Sequence, residues 1–103
     1  MGFIKVIAVC GMGLGSGLLA RMSVERVLKR QGVKDSEIDV EVADIGSAKR
    51  PGVDIYVTTN EFAPNMRAWA PRLVVVKNLF DEKEMEAALM PVFKEVIASK
   101  AKQ

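Results

Sequence analysis

The feature that most constrains this chain is what happens between residues 3 and 17. Phe3-Ile4-Lys5-Val6-Ile7-Ala8-Val9 is apolar apart from Lys5. Cys10-Gly11-Met12-Gly13-Leu14-Gly15-Ser16-Gly17 follows, and then a helical pattern begins. A nearly continuous apolar run suits a strand covered on both faces. Glycines at alternate positions free backbone N–H groups to turn toward one point. A helix start adds amides without intrahelical acceptors and the positive end of a dipole. The order strand, thiol, glycine turn, helix predicts a cradle for a dianion such as phosphate, with the Cys10 thiol beside it. The same field favours thiolate over thiol and predicts a lowered pKa at Cys10.

The rest of the chain repeats the alternation. A helix is expected from Ser16 or Gly17 to about Gln31, with Ala20, Val24, Val27 and Leu28 as its apolar stripe and Gly32 as its stop. Ile38 to Val42 alternates strictly and predicts a strand with one wet face, near a sheet edge. Gly46 to Arg50 reads as a turn or short helical piece stopped by Pro51. Val53 to Thr58 and Leu73 to Val76 predict two further strands, with a short helical segment carrying Pro64 between them. Asp81 and Glu84 form a capping-box pattern for a last helix faced by Met85, Leu89, Phe93 and Val96. Pro91 lies inside that helix and predicts a kink or a restart. Strands alternating with helical segments predict one α/β domain, residues 1–103, with a parallel sheet and right-handed crossovers. Ligands of such sheets bind at the carboxyl ends of the strands. Cys10 stands at that end of the first strand, and the loops Asp44–Ser47, Thr58–Phe62 and Asn78–Asp81 are expected to share its face.

Composition excludes several chemistries. There is no histidine, so a Cys–His or Ser–His pair, a histidine metal ligand and a phosphohistidine on this chain are all ruled out. One cysteine supports neither a disulfide within the chain nor a cysteine-rich metal site, and no metal or cofactor is expected. The net charge of +2 is spread among acidic residues and does not suggest nucleic acid. No secretory or membrane-spanning pattern is evident, which makes a cytoplasmic protein the expectation.

Blander readings compete with the cradle. A lone cysteine is commonly a core residue, but four of the next seven residues here are glycine, a poor place to bury a side chain. A dinucleotide fingerprint fails at its third glycine, and a Walker A loop lacks its lysine. Ser16 stands six positions after Cys10, where phosphatases built on a loop-bound thiolate carry arginine. Without that guanidinium fork, fast hydrolysis of phosphomonoesters is not expected. What remains suits a thiolate that accepts a phosphoryl group, holds it and passes it on. The rivals are a non-enzymatic anion- or nucleotide-binding domain and a phosphatase-like protein. Ser16 reads equally as helix N-cap and as hydroxyl donor to phosphoryl oxygens. Arg21, Arg26, Lys29 and Arg30 read as a solvated helix face, with docking of an acidic partner as the alternative. Met66 and Trp69 read as packing, and Asp54 as a turn aspartate after Pro51-Gly52.

Val9-Cys10-Gly11-Met12-Gly13-Leu14-Gly15-Ser16 resembles the phosphorylation loop of the enzyme IIB subunits of the bacterial sugar phosphotransferase system. It is most similar to the ascorbate-type branch of the lactose, ascorbate and galactitol group, whose loop reads C-G-x-G-x-G-S-S. Asp54 to Thr59 and Val76 to Leu79 resemble two further segments of that family. Gly17 departs from the pattern, where a second serine is usual, and removes one candidate hydroxyl donor. The resemblance implies a four-stranded parallel sheet of order 2-1-3-4, flanked by helices on both faces, in a flavodoxin-like fold shared with low-molecular-weight phosphatases. It implies a phosphocysteine at Cys10, with Gly11, Met12, Gly13, Leu14, Gly15, Ser16 and Gly17 holding the phosphoryl group. It implies a phosphohistidine donor on an enzyme IIA protein, and a sugar acceptor held by the membrane-embedded enzyme IIC. The chain itself would associate only peripherally with the membrane.

Overall fold

The structure is a computed structural model, described over residues 4–9 and 14–101. The chain runs β1 (Ile4–Val9), α1 (Leu14–Arg30), a single 3-10 turn (Asp35–Glu37), β2 (Ile38–Ala43), β3 (Ile55–Thr59), α2 (Ala63–Met66), β4 (Leu73–Val76) and α3 (Glu82–Ala101). The four strands form one parallel sheet in the order β2-β1-β3-β4. Right-handed crossovers require the intervening segments to return over a face of the sheet, and here the two faces are covered unequally.

On one face Ile4 and Val6 of β1, Ile38 and Val40 of β2, Ile55 and Val57 of β3, and Val74 and Val76 of β4 meet the stripes of α1 and α3. Ala20, Val24, Val27 and Leu28 of α1 and Met85, Leu89, Phe93 and Val96 of α3 are the buried positions anticipated from spacing. Each fully buried Val, Leu or Phe contributes about 1.5–3 kcal/mol relative to an exposed one. On the other face Ile7 and Val9 pack with Ala43, Ala48, Tyr56 and Met66, beneath the short helix α2 and the β2–β3 connection. Helices thus flank both faces, but the second is closed by one helical turn and a loop. That loop is fastened by Tyr56, whose hydroxyl donates to the Ala48 carbonyl at 3.0 Å. Trp69 stands edge-on to the Tyr56 ring, with centroids 5.1 Å apart.

Residues of β1 are buried on both faces, which is why its sequence does not alternate. β2 alternates because it is an edge strand whose Asp39 and Glu41 leave the second face near its start open to water. Lys5 reaches across from β1 to both carboxylates, at 2.7 and 2.8 Å. Burial alone would push its pKa down, but Asp39 and Glu41 outweigh that and hold it raised.

Gly32 ends α1 at φ +86°, a left-handed conformation that costs glycine nothing. The Val33 and Gly32 amides then donate back to the Leu28 and Lys29 carbonyls at 3.1 and 3.0 Å, a Schellman motif.

Several expectations need correction. α1 begins at Leu14, not at Ser16 or Gly17, so Ser16 lies inside its first turn and is not the N-cap. β3 covers Ile55–Thr59, because Val53 and Asp54 belong to the approach from Gly52. α3 passes through Pro91 as one helix, so it does not restart there. Pro91 is exposed, so the carbonyl it leaves without an intrahelical partner has water available. The capping box is only half formed: Asp81 caps the Lys83 and Glu84 amides, but Glu84 turns elsewhere.

Candidate functional site

All four strands are parallel, so their carboxyl ends share one edge of the molecule. There β1 ends at Val9, level with Ala43 of β2. β3 ends at Thr59, level with Val76 of β4. The loops after β2, β3 and β4 therefore share the end to which Cys10 is joined, as anticipated. Cys10, Gly11, Met12 and Gly13 themselves lie outside the described residues, as do the side chains of Leu14 and Ser16. The elements on either side of them are described, and these bound the site.

The first boundary is the end of β1. Its pairing with β2 continues through Val9, while its pairing with β3 stops at Ala8 opposite Val57. β1 parts from β3 one residue before Cys10. At that point the fully buried Thr58 hydroxyl donates to the Val9 carbonyl at 3.3 Å. From the sequence Thr58 is the last residue of the third strand and the first of its loop, with no partner indicated. A threonine at the last buried position of a strand was the available signal, but its acceptor lies 49 residues away in the chain.

The second boundary is the start of α1. The N–H groups of Leu14, Gly15 and Ser16 belong to its first turn, where amides lack intrahelical acceptors. No acidic residue stands in that turn. At α3 the first turn carries Glu82 and Glu84, and Asp81 caps it. One helix start is occupied by the chain's own carboxylates. The other has none in its sequence, and its dipole favours an anion from elsewhere.

The remaining loops are tightly made. After β2 the Asp44 carboxylate accepts from the Ser47 amide at 2.8 Å and the Ser47 hydroxyl at 2.9 Å. The hydroxyl, then the amide, holds the Asp44 carboxyl below its ordinary range, so the loop carries a negative charge at neutral pH. After β4 the Glu84 carboxylate accepts the amides of Lys77 and Asn78 at 2.6 and 3.1 Å. The Asn78 side-chain oxygen accepts the Phe80 amide at 2.9 Å. Four large apolar side chains are exposed toward this end: Leu18, Leu19 and Met22 on the first turns of α1, and Phe80 before α3. The helical stripe did not flag the first three because they lie off it.

Other candidates are drawn away. Arg26 and Arg30 bind Glu82 of α3 at 2.9 and 2.7 Å, and Arg30 also approaches Glu86 at 3.4 Å. Arg21 pairs with Glu25 along its own helix at 3.5 Å. The basic face of α1 is largely a tie to α3. Asp54 stands near the opposite end of the sheet. It accepts the Lys5 amide at 2.9 Å, and its other carboxylate oxygen lies 3.3 Å from the Lys100 ammonium. Met66 and Trp69 pack in the second core, as expected. Among the described residues no helix is long and apolar enough to cross a membrane.

Comparison with known proteins agrees with this architecture. Residues 5–90 match the family model described as "PTS system, Lactose/Cellobiose specific IIB subunit". An ascorbate-specific PTS system EIIB component of Mycoplasma pneumoniae is 35% identical over 95 residues, covering 86% of this chain and 94% of that protein. One from Escherichia coli O157:H7 is 26% identical over 93 residues, covering 89% and 91%. The solved lactose-specific IIB domain of the phosphoenolpyruvate:carbohydrate phosphotransferase system of Streptococcus pneumoniae superposes with a TM-score of 0.61. That match has 15% identity and covers 89% of this chain and 96% of that one, a likeness of fold. With a parallel sheet in the order β2-β1-β3-β4 and a family match over most of its length, the chain belongs to the IIB subunit family of the sugar phosphotransferase system that this model describes.

Proposed function

We propose that this IIB subunit relays a phosphoryl group through Cys10. The observation that carries the reading is the helix start at Leu14, four residues after Cys10 in the chain, with no carboxylate of its own in the first turn. In the first half-reaction the Cys10 thiolate attacks, in line, the phosphorus of a phosphohistidine on an enzyme IIA protein. The S–P bond forms as the N–P bond breaks, and the imidazole, protonated on its other nitrogen, departs as a neutral ring. Backbone N–H groups from Met12 to Gly17 meet the three phosphoryl oxygens, so that charge is balanced by the loop and the helix dipole. In the second half-reaction a sugar hydroxyl held by membrane enzyme IIC attacks the same phosphorus. The S–P bond breaks, an O–P bond forms, the hydroxyl passes its proton to a base on enzyme IIC or to water, and the thiolate is restored. The chain contains no histidine, so the donor imidazole must come from another protein.

Ascorbate is the sugar favoured by the loop and by the two relatives named for it. Galactitol and related polyols are the alternatives, and growth of strains lacking individual IIB subunits, complemented with this chain, separates them. The relay itself is tested by intact mass after incubation with phosphorylated enzyme IIA. A single added phosphoryl group, absent in Cys10→Ser, is expected. No uptake would leave an anion-binding domain, and continuous release of inorganic phosphate would indicate a phosphatase.

A further inference from the structure

We infer that Thr58 is a positioning residue for Cys10, acting through the Val9 carbonyl. This rests on the relay reading for its consequence, but the geometry that carries it is independent of that reading. Among the described residues β1 is paired on both sides from Val6 through Ala8, and at Val9 on the β2 side alone, opposite Ala43. The carbonyl of Val9 thus faces a neighbour strand that no longer pairs with it. The Thr58 hydroxyl, with no exposure to water, donates to that carbonyl at 3.3 Å. A buried backbone acceptor left without a partner is costly, so the hydroxyl secures the last turn-ward carbonyl of β1 where the ladder fails.

The reach of this contact into the site is covalent. The Val9 carbonyl and the amide nitrogen of Cys10 belong to one planar peptide unit. Fixing the direction of that carbonyl fixes the plane from which the chain continues to Cys10. Through this peptide unit Thr58 restricts how the thiol can be presented to the amides of the loop and of α1. Tyr56 and Val57, the residues before it, are buried on opposite faces of the sheet, so Thr58 sits on a rigid base. The bond is long for an O–H···O pair, so its expected effect is on placement more than on stability.

The experiment compares wild type, Thr58→Val and Thr58→Ser. Valine keeps the shape and removes the donor; serine keeps the donor and loses a methyl group. The pH midpoint of Cys10 alkylation, measured on the folded protein, is expected to rise in Thr58→Val and return toward wild type in Thr58→Ser. Phosphoryl uptake from phosphorylated enzyme IIA is expected to slow roughly three- to tenfold in Thr58→Val, the effect of about one modest hydrogen bond. An unchanged alkylation midpoint in Thr58→Val overturns the inference, even if the thermal midpoint falls. A shifted midpoint in a protein whose wild type takes up no phosphoryl group supports the positioning role and overturns the relay instead.

Discussion

The Glu84 carboxylate accepts the Lys77 backbone N–H at 2.6 Å, closing the turn between β4 and α3. It accepts Asn78 as well, at 3.1 Å, so two successive amides at the head of the sheet point at one carboxylate. The reciprocal half of a capping box would have sent Glu84 back to the Asp81 amide, which instead donates to the Asn78 carbonyl at 3.1 Å. Glu84 therefore organises the loop before the helix as well as the helix. Replacement by alanine is expected to cost about 1–2 kcal/mol, and by glutamine less, because the amide oxygen still accepts. Urea midpoints of Glu84→Ala and Glu84→Gln check this, and equal losses would show that charge rather than the two accepted bonds matters.

A pH dependence follows from the tie between α1 and α3. Arg30, and then Arg26, hold the Glu82 carboxyl below its ordinary value of 4.5. A folded-state pKa that is depressed stabilises the fold above the unfolded value, and the contribution is lost as pH falls through the folded one. Glu82→Gln is expected to lower the urea midpoint slightly at neutral pH. The gap between variant and wild type should close below pH 4.5 and shrink with added salt. A gap that persists in acid would assign the effect to packing.

Gly15 lies in the first turn of α1, so alanine there meets a helical backbone. Gly15→Ala is expected to leave stability unchanged or raise it by up to about 1 kcal/mol. Phosphoryl uptake is expected to fall, because a Cβ would crowd an anion approaching the helix start. Thermal melts and a timed phosphorylation assay give the two readings. Uptake at the wild-type rate in both Gly13→Ala and Gly15→Ala would show that the glycine turn is no cradle.

Cys10 is expected to alkylate with a pH midpoint below about 8.5, the value of a free cysteine. A midpoint at or above that value would remove the thiolate from the mechanism. Failure to alkylate at all in the folded protein would place the thiol in the core.

Much of the architecture was legible because it rests on periodicity. The unbroken β1 run, the strict alternation of Ile38 to Val42 and the stripes of α1 and α3 each state which faces are covered. Those patterns follow from local geometry, which fixes where side chains point before any partner is known. The boundaries were less legible. Leu14 and Gly15 read as loop because glycine is a poor helix former, yet they open the first turn of α1. Pro91 read as a kink or a restart; the helix does not restart, because an exposed proline leaves its orphaned carbonyl open to water.

The sequence by itself determined the order of strands and helices, the buried stripes, and a cysteine followed by alternating glycines just after the first strand. These are consequences of residue type and spacing within a few positions of one another. Only the tertiary structure decided the partners. Thr58 meets Val9 across 49 residues, Arg26 meets Glu82 across 56, and Lys5 meets Asp54 across 49. Nothing local distinguishes a solvated arginine from one tied to a distant glutamate, or a loop threonine from one securing the end of another strand. Such pairings exist only once the sheet brings its strands side by side, because side-chain hydrogen bonds reach only about 3 Å.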